Sequence, residues 1–176
     1  MKKIVKKSEI AKLEQVFNGI FQSKDPFGEM FQEKMENRMI LCPTEGYYLT
    51  KKQFSALIDT LESMENQEIV ITVTETEEKK FWVCNNRLNY SEYLQLPLYL
   101  ENAIYSSKGE WGILVSHEEH AVVGGIIQFM SKFKNMYSEW EEDIKNFKEM
   151  WKYNHNKYKA DLEWMNRFKK HMNIDL

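Results

Sequence analysis

The chain has 176 residues, a formal net charge of -3 and an apolar fraction of 43%, with only seven glycines and three prolines. This composition excludes collagen-like, low-complexity and disordered classes of protein, because enough apolar and aromatic side chains are present to build a core. At this length, one domain over residues 1–176 is expected.

The sequence also predicts where the protein resides. No apolar stretch approaches the roughly 18–20 residues that span a bilayer. The lysine-rich start at 2–7 is followed by Ser8 and Glu9 rather than by the apolar core of a signal peptide. We therefore expect a cytoplasmic protein without membrane association. In a reducing compartment Cys42 and Cys84 are expected to be buried free thiols.

The first part of the chain, residues 1–66, is predicted to be mostly helical. Ser8 is a candidate N-cap, and the apolar residues that follow it recur at helical spacing. A second short helix is expected over 29–37. Thr50 and Gln53 have the form of a capping box that starts a further helix.

Residues 54–64 of that further helix carry the clearest amphipathic pattern of the chain, and Asn66 is its predicted stop.

The middle of the chain, residues 67–125, is predicted to be an antiparallel sheet. Alternating apolar residues and short β-branched runs separated by polar turns are typical of strands. Five strands are expected, at 69–74, 81–84, 102–106, 110–116 and 121–123. Gly124 and Gly125 are interpreted as a tight turn from the last strand into a helix. The stretch 93–100 contains Pro97 and is predicted to be a loop or an edge strand.

Residues 126–176 contain no glycine or proline and keep helical spacing. One straight helix over 136–172 would be about 55 Å long, whereas a compact domain of this size has a diameter of about 40 Å. A bend is therefore predicted at 154–156, where polar residues interrupt the apolar stripe. The fold class predicted overall is α+β, with N-terminal helices, a five-stranded antiparallel meander and C-terminal helices packed on the sheet.

The charge is unevenly distributed along the chain. Residues 45–125 carry 13 acidic and 6 basic residues, whereas the two flanking parts are each slightly basic. Direct binding of nucleic acid is disfavoured, because it requires clustered Lys and Arg. An acidic surface can instead meet a basic protein. The candidate contact residues are acidic side chains and three tyrosines: Glu75, Glu77, Glu78, Glu118, Glu119, Tyr47, Tyr48 and Tyr93.

Residues 117–120 read His-Glu-Glu-His and could carry metal or proton-transfer chemistry. The zinc-protease motif requires two histidines four residues apart on one helix, whereas His117 and His120 are three apart between two predicted strands. A solvated turn is therefore the preferred interpretation. Cys84 lies in an apolar strand, where its thiol is a poor nucleophile. No metal site, cofactor or catalytic residue is predicted.

One region of the chain resembles a known group of proteins. The resemblance covers about residues 100–130 and consists of strand, turn, strand, Gly-Gly turn and helix. The matching residues are 102–106 (Asn-Ala-Ile-Tyr-Ser), 110–113 (Glu-Trp-Gly-Ile), Ser116, 123–125 (Val-Gly-Gly) and Phe129. This stretch is similar to small cytosolic bacterial and prophage proteins that give immunity to polymorphic toxins. The early Leu-Pro-x-x-Tyr element of the SUKH-type immunity fold is absent. The resemblance implies a stoichiometric binder rather than a catalyst.

Three functional hypotheses follow from these observations. The first is a non-enzymatic immunity-type or inhibitor protein that blocks a basic toxin or effector protein. The second is a small hydrolase or nuclease that uses His117 and His120. The third is a phage or host regulator that dimerises through its C-terminal helices, so both a monomer and a homodimer remain open.

Overall fold

The computed structural model describes residues 1–64 and 68–174, so the predicted stop at Asn66 lies outside the described residues. Seven strands and six helices occur in the described ranges. The strands are β1 (Lys2–Ile4), β2 (Asn37–Leu41), β3 (Glu68–Val73), β4 (Phe81–Asn85), β5 (Asn102–Ser106), β6 (Trp111–Val115) and β7 (Ala121–Gly125). The helices are α1 (Lys7–Ile20), α2 (Lys51–Glu62), α3 (Tyr90–Leu94), α4 (Ile127–Met136), α5 (Trp140–Tyr158) and α6 (Met165–Met172).

All seven strands belong to one antiparallel sheet, in the order β1-β4-β3-β5-β6-β7-β2. The α+β class and the antiparallel sheet are confirmed. The predicted count of five strands is wrong, because β1 and β2 extend the two edges. The sheet is also not a simple meander, since β5 pairs with β3 rather than with β4.

Helices cover both faces of the sheet, which gives three layers. On β3, Ile69 and Ile71 point into the core beneath α2, α3 and α4, whereas Val70 points into the core beneath α1, α5 and α6. The alternation predicted for this strand is therefore confirmed. Because strands in the middle layer are buried on both faces, their sequences are nearly continuous runs of apolar residues.

Several N-terminal predictions require correction. No helix forms over 29–36: Met30, Phe31 and Met35 are buried in irregular chain, and β2 begins at Asn37. The start of α1 lies at Lys7, without a capping hydrogen bond from Ser8.

The short helix α3 is not among the predicted elements, and it overlaps the predicted loop or edge strand at 93–100 only at 93–94. Residues 95–100 are irregular, so the loop prediction is confirmed there. Asn89 and Glu92 form the capping box of α3.

The C-terminal part is helical, as predicted, but the breaks lie elsewhere. Helix α5 runs through 154–156 without interruption and ends at Tyr158. The next residue, Lys159, adopts a left-handed backbone conformation with φ 58°. Asn154 remains partly exposed, so a polar residue on the apolar stripe does not need to be removed from water there. An earlier break at Tyr137 separates α4 from α5. Helix α4 packs on one face of the sheet, and α5 and α6 pack on the other.

The predicted capping box of α2 is present and gives a first testable prediction. Thr50 Oγ1 accepts a hydrogen bond from the Gln53 amide at 3.3 Å, and Gln53 Oε1 accepts one from the Thr50 amide at 2.9 Å. Thr50→Ala should lower the free energy of unfolding by about 1 kcal/mol, because the cap is lost. Urea denaturation measures this change. Ser55→Ala, at an exposed position of the same helix, is the control and should not destabilise the protein. An unchanged midpoint for Thr50→Ala would contradict the prediction.

Candidate functional site

One end of the sheet gathers acidic segments from distant parts of the chain. The register pairs Val73 with Asn102 and Val115 with Ala121, so β3 and β6 end where β5 and β7 begin. Strand β2 ends at the same place, since Leu41 pairs with Ala121. We call the adjoining segments the acidic end of the sheet; they are 42–46, 74–80, 101 and 116–120.

The acidic end carries a marked excess of negative charge. Its seven carboxylates are Glu45, Glu75, Glu77, Glu78, Glu101, Glu118 and Glu119, against the two lysines Lys79 and Lys80, which leaves an excess of five negative charges. Lys80 Nζ lies 3.3 Å from a carboxylate oxygen of Glu78, and Lys79 pairs with Glu14 of α1.

The five glutamates predicted as contact residues all lie at the acidic end. Glu75, Glu77 and Glu78 are exposed in the β3–β4 turn, and Glu118 and Glu119 are exposed in the β6–β7 turn.

An open depression of about 550 Å³ lies at the acidic end. Its walls are formed by the loop 23–27, by Glu75 after β3, by Glu101 before β5 and by His117 after β6. Lys24 Nζ donates a hydrogen bond to the Thr74 carbonyl oxygen at 3.0 Å, which ties the loop to the end of β3. The depression is therefore built by four separate segments of the chain.

Glu101 is the most unusual group in this depression. It is only 3% exposed, and its Oε1 lies 2.6 Å from His117 Nδ1 and accepts a hydrogen bond from Ser116 Oγ at 3.3 Å. Its Oε2 is buried and accepts no hydrogen bond from the described residues. Burial raises the pKa of the Glu101 carboxyl above its ordinary value, although the hydrogen bond from His117 opposes this shift.

The two histidines of the turn are placed in different environments. The side chain of His117 is half exposed, and its Nε2 faces Glu118 Oε1 at 3.6 Å. His120 is fully buried, with its ring centroid 4.9 Å from that of Phe27 and 5.1 Å from that of Phe147. Burial lowers the pKa of His120 to about 4. His117 and His120 therefore do not form a catalytic pair in one pocket, and that part of the hydrolase hypothesis is wrong.

The three predicted tyrosines also differ. Tyr47 and Tyr48 are partly exposed beyond β2, and the Tyr48 hydroxyl donates to the Leu96 carbonyl oxygen at 2.6 Å. Tyr93 is completely buried, and its hydroxyl accepts a hydrogen bond from the Leu49 amide at 3.1 Å. The prediction that Tyr93 anchors a partner is therefore wrong, because this residue belongs to the core.

The thiols are buried, as predicted. Burial raises the pKa of Cys84 to about 11 and that of Cys42 to about 12, so neither is a reactive thiolate at neutral pH. Within residues 1–64 and 68–174, no three His, Cys, Asp or Glu side chains are grouped so as to hold a metal ion.

Glu101 and the loop 23–27 were missed as site residues in the sequence. A usable signal exists for Glu101, because the β5–β6 hairpin turns at Gly109 and its register pairs Asn102 with Val115. Continuing that register by one residue places Glu101 beside Ser116 and next to His117. No comparable signal marks the loop, whose position depends on tertiary packing.

No family model, no curated protein and no solved structure matches this chain. None of the helices in the described part of the chain is both long enough and apolar enough to cross a bilayer. The basis for assigning a function is therefore the geometry and charge of the acidic end.

Proposed function

We propose that this chain is a non-catalytic binding protein of the immunity type, which blocks a basic toxin or effector protein by stoichiometric binding. The docking surface is the acidic end of the sheet. The observation that carries the proposal is the excess of five negative charges contributed there by separate segments. Complementary charge accelerates association and excludes partners with the wrong charge.

The surroundings of this surface suit a docking role. Surface ion pairs are individually worth about 0–1 kcal/mol, so the exposed glutamates act together, by steering the partner. Affinity requires apolar anchors that lose their water on binding. Tyr47 and Tyr48 are partly exposed next to Glu45 and supply such rings.

The proposal is tested by co-expression with the product of the neighbouring gene. Relief of growth arrest and co-purification of the two chains in a 1:1 complex are the expected results. A neighbouring product that is harmless, or that neither binds nor is neutralised, would count against the proposed function.

A charge-reversed variant tests the docking surface itself. Glu75→Lys, Glu77→Lys and Glu118→Lys combined should slow association by at least about tenfold, because steering depends on local charge. The matched control reverses Glu33, Glu36 and Glu68, which are exposed. Glu33 and Glu36 precede β2 and Glu68 begins β3, and both strands begin at the opposite end of the sheet from the acidic end. This control has the same net charge and should keep the wild-type rate in stopped-flow measurements. Equal slowing by both variants would contradict the assigned surface.

One observation favours a second candidate function, a small hydrolase or nuclease that uses His117 without His120. The Glu101 carboxylate holds the His117 ring at 2.6 Å beside an open depression, an arrangement that can orient a general base. A panel of ester and phosphodiester substrates tests it. Turnover that is lost in His117→Gln would support this alternative, and the absence of turnover would exclude it for those substrates.

A further inference from the structure

We infer that the depression beside Glu101 receives one arginine side chain of the basic partner. This inference rests on the proposed function and names the chemical group that is recognised. The occupant is a guanidinium group that donates hydrogen bonds to the free oxygen of Glu101 and lies against the ring of Phe27.

The first argument is the unpartnered oxygen of Glu101. A buried carboxylate that lacks hydrogen bonds costs free energy, and a donor from another molecule removes that cost. Glu101 is 97% buried, since 3% of it is exposed, yet it forms part of the wall of the depression. Oε1 is already held by His117 and Ser116, whereas Oε2 accepts nothing from the described residues. Oε2 has less than 1 Å² of exposed surface, so a donor in the depression reaches it through a rotation of the carboxyl group about its last torsion, which has a broad energy profile. The donor then pairs the one carboxylate oxygen that the described residues leave without a partner.

The second argument is the charge around the depression. Asp25, Glu75 and Glu101 line it together with one cation, Lys24. The Lys24 ammonium already donates to the Thr74 carbonyl oxygen at 3.0 Å, so it is held against the wall. A negative excess remains, and a cation is the complementary occupant.

The third argument selects arginine over lysine. The volume of about 550 Å³ lies within the range of about 300–1,000 Å³ that holds small ligands, so a whole side chain fits. Carboxylates line the depression from three separate segments, and the guanidinium group offers five donors in one plane to meet them. Phe27 adds an aromatic wall on which a guanidinium group stacks better than an ammonium group.

The test titrates the purified chain with three small probes and follows its amide signals by NMR. The probes are the N-acetyl amides of arginine, of lysine and of citrulline, the last being a neutral analogue of arginine. We expect saturable shifts at residues 25–27, 75, 101 and 117 with the arginine probe. The lysine probe should bind more weakly by about fivefold or more, and the citrulline probe should not saturate.

Two variants with the same change in charge locate the site. Glu101→Gln should weaken binding of the arginine probe by about tenfold, because a charge-assisted hydrogen bond is lost. Glu77→Gln removes one charge at the acidic end but outside the depression, and it should change the affinity by less than about twofold. If Glu101→Gln does not fold, the exposed Glu75→Gln replaces it and should also weaken binding more than Glu77→Gln.

Equal binding of arginine and citrulline, equal binding of arginine and lysine, or equal effects of the two variants would each overturn the inference. Failure here is distinguishable from failure of the proposed function. If the arginine probe does not bind but the neighbouring gene product still depends on the acidic end, only the arginine site is wrong. If the probe binds but no protein partner is neutralised, only the proposed function is wrong.

Discussion

Gly112→Ala is expected to lower the free energy of unfolding by about 1–3 kcal/mol, as overpacking in a core does. A Cβ atom at Gly112 would lie 2.4 Å from Phe21 Cζ and 2.7 Å from Ile20 Cγ2, which is closer than atoms can approach. Both neighbours are almost completely buried at the end of α1. Because neither side chain has space to move into, the contact between α1 and the sheet must open.

Gly112 is one half of a glycine pair that accommodates two phenylalanine rings. It pairs across the sheet with Gly124 of β7, where an added Cβ would lie 2.8 Å from the ring of Phe31. The rings of Phe21 and Phe31 lie beside each other, with centroids 5.5 Å apart. The interpretation of Gly124 and Gly125 as a turn is therefore wrong, because both lie within β7 and are required by packing.

A matched substitution separates this effect from a general property of glycine. Gly19 lies within α1, and an added Cβ there would meet only Lys34 Nζ at 3.6 Å. Gly19→Ala should therefore raise the free energy of unfolding by about 0.5–1 kcal/mol, because alanine favours the helix. Urea denaturation of the two variants should give shifts of opposite sign. A Gly112→Ala variant that is as stable as the wild type, or more stable, would show that the contact between α1 and the sheet tolerates a methyl group.

Local signals explain which parts of the fold could be predicted. The capping box at Thr50 and Gln53 places both partners within four residues, so the sequence alone contains the whole interaction. The alternation in β3 is equally local.

The elements that were missed depend on distant partners. Strand β1 has only three residues and is defined by pairing with β4, and β2 is defined by pairing with β7. With three residues, β1 is too short to show a period of its own. The buried part of β2, residues 39–41, is a continuous apolar run without alternation. The residues 29–36 supply buried apolar side chains from irregular chain, a role that a periodic pattern does not describe.

The candidate site was only partly predictable for the same reason. The five exposed glutamates follow from the charge count, and His117 follows from the histidine pair. Glu101 shares the depression with the loop 23–27, and His120 is buried against Phe27 and Phe147. These contacts join residues more than 25 positions apart along the chain. Local sequence patterns therefore do not predict them.

His120 should make the folded protein sensitive to acid. The pKa of its buried ring is lowered from 6.5 to about 4, chiefly because burial disfavours the charged form. The unfolded chain therefore binds a proton at a higher pH than the folded chain does. The stability contributed by His120 is fully present above pH 6.5 and is lost as the pH falls towards 4. By pH 5 the loss should reach about 2 kcal/mol.

The contribution of Asp143 to stability changes with pH in the opposite direction, so variants are needed to separate it from the contribution of His120. Burial raises the pKa of Asp143 from 3.8 to about 6, which means that its folded form gains stability as the pH falls through 6. Its Oδ2 accepts hydrogen bonds from the Tyr137 hydroxyl at 2.8 Å and the Cys42 amide at 3.0 Å. The pH dependence of the wild-type protein is therefore a sum in which these two contributions partly cancel.

Urea denaturation at pH 7.5 and pH 5 should resolve them. We compare the free energy of unfolding of each variant with that of the wild type at both pH values. For His120→Gln this difference should rise by about 2 kcal/mol from pH 7.5 to pH 5, because glutamine does not titrate. The size of the difference at pH 7.5 does not affect this expectation. Asp143→Asn should lose about 1–2 kcal/mol over the same interval. The prediction is tested by the opposite signs of these two changes in the free energy of unfolding. A His120→Gln offset that is the same at both pH values would mean that the ring is already accessible to protons in the folded protein, against its burial between Phe27 and Phe147.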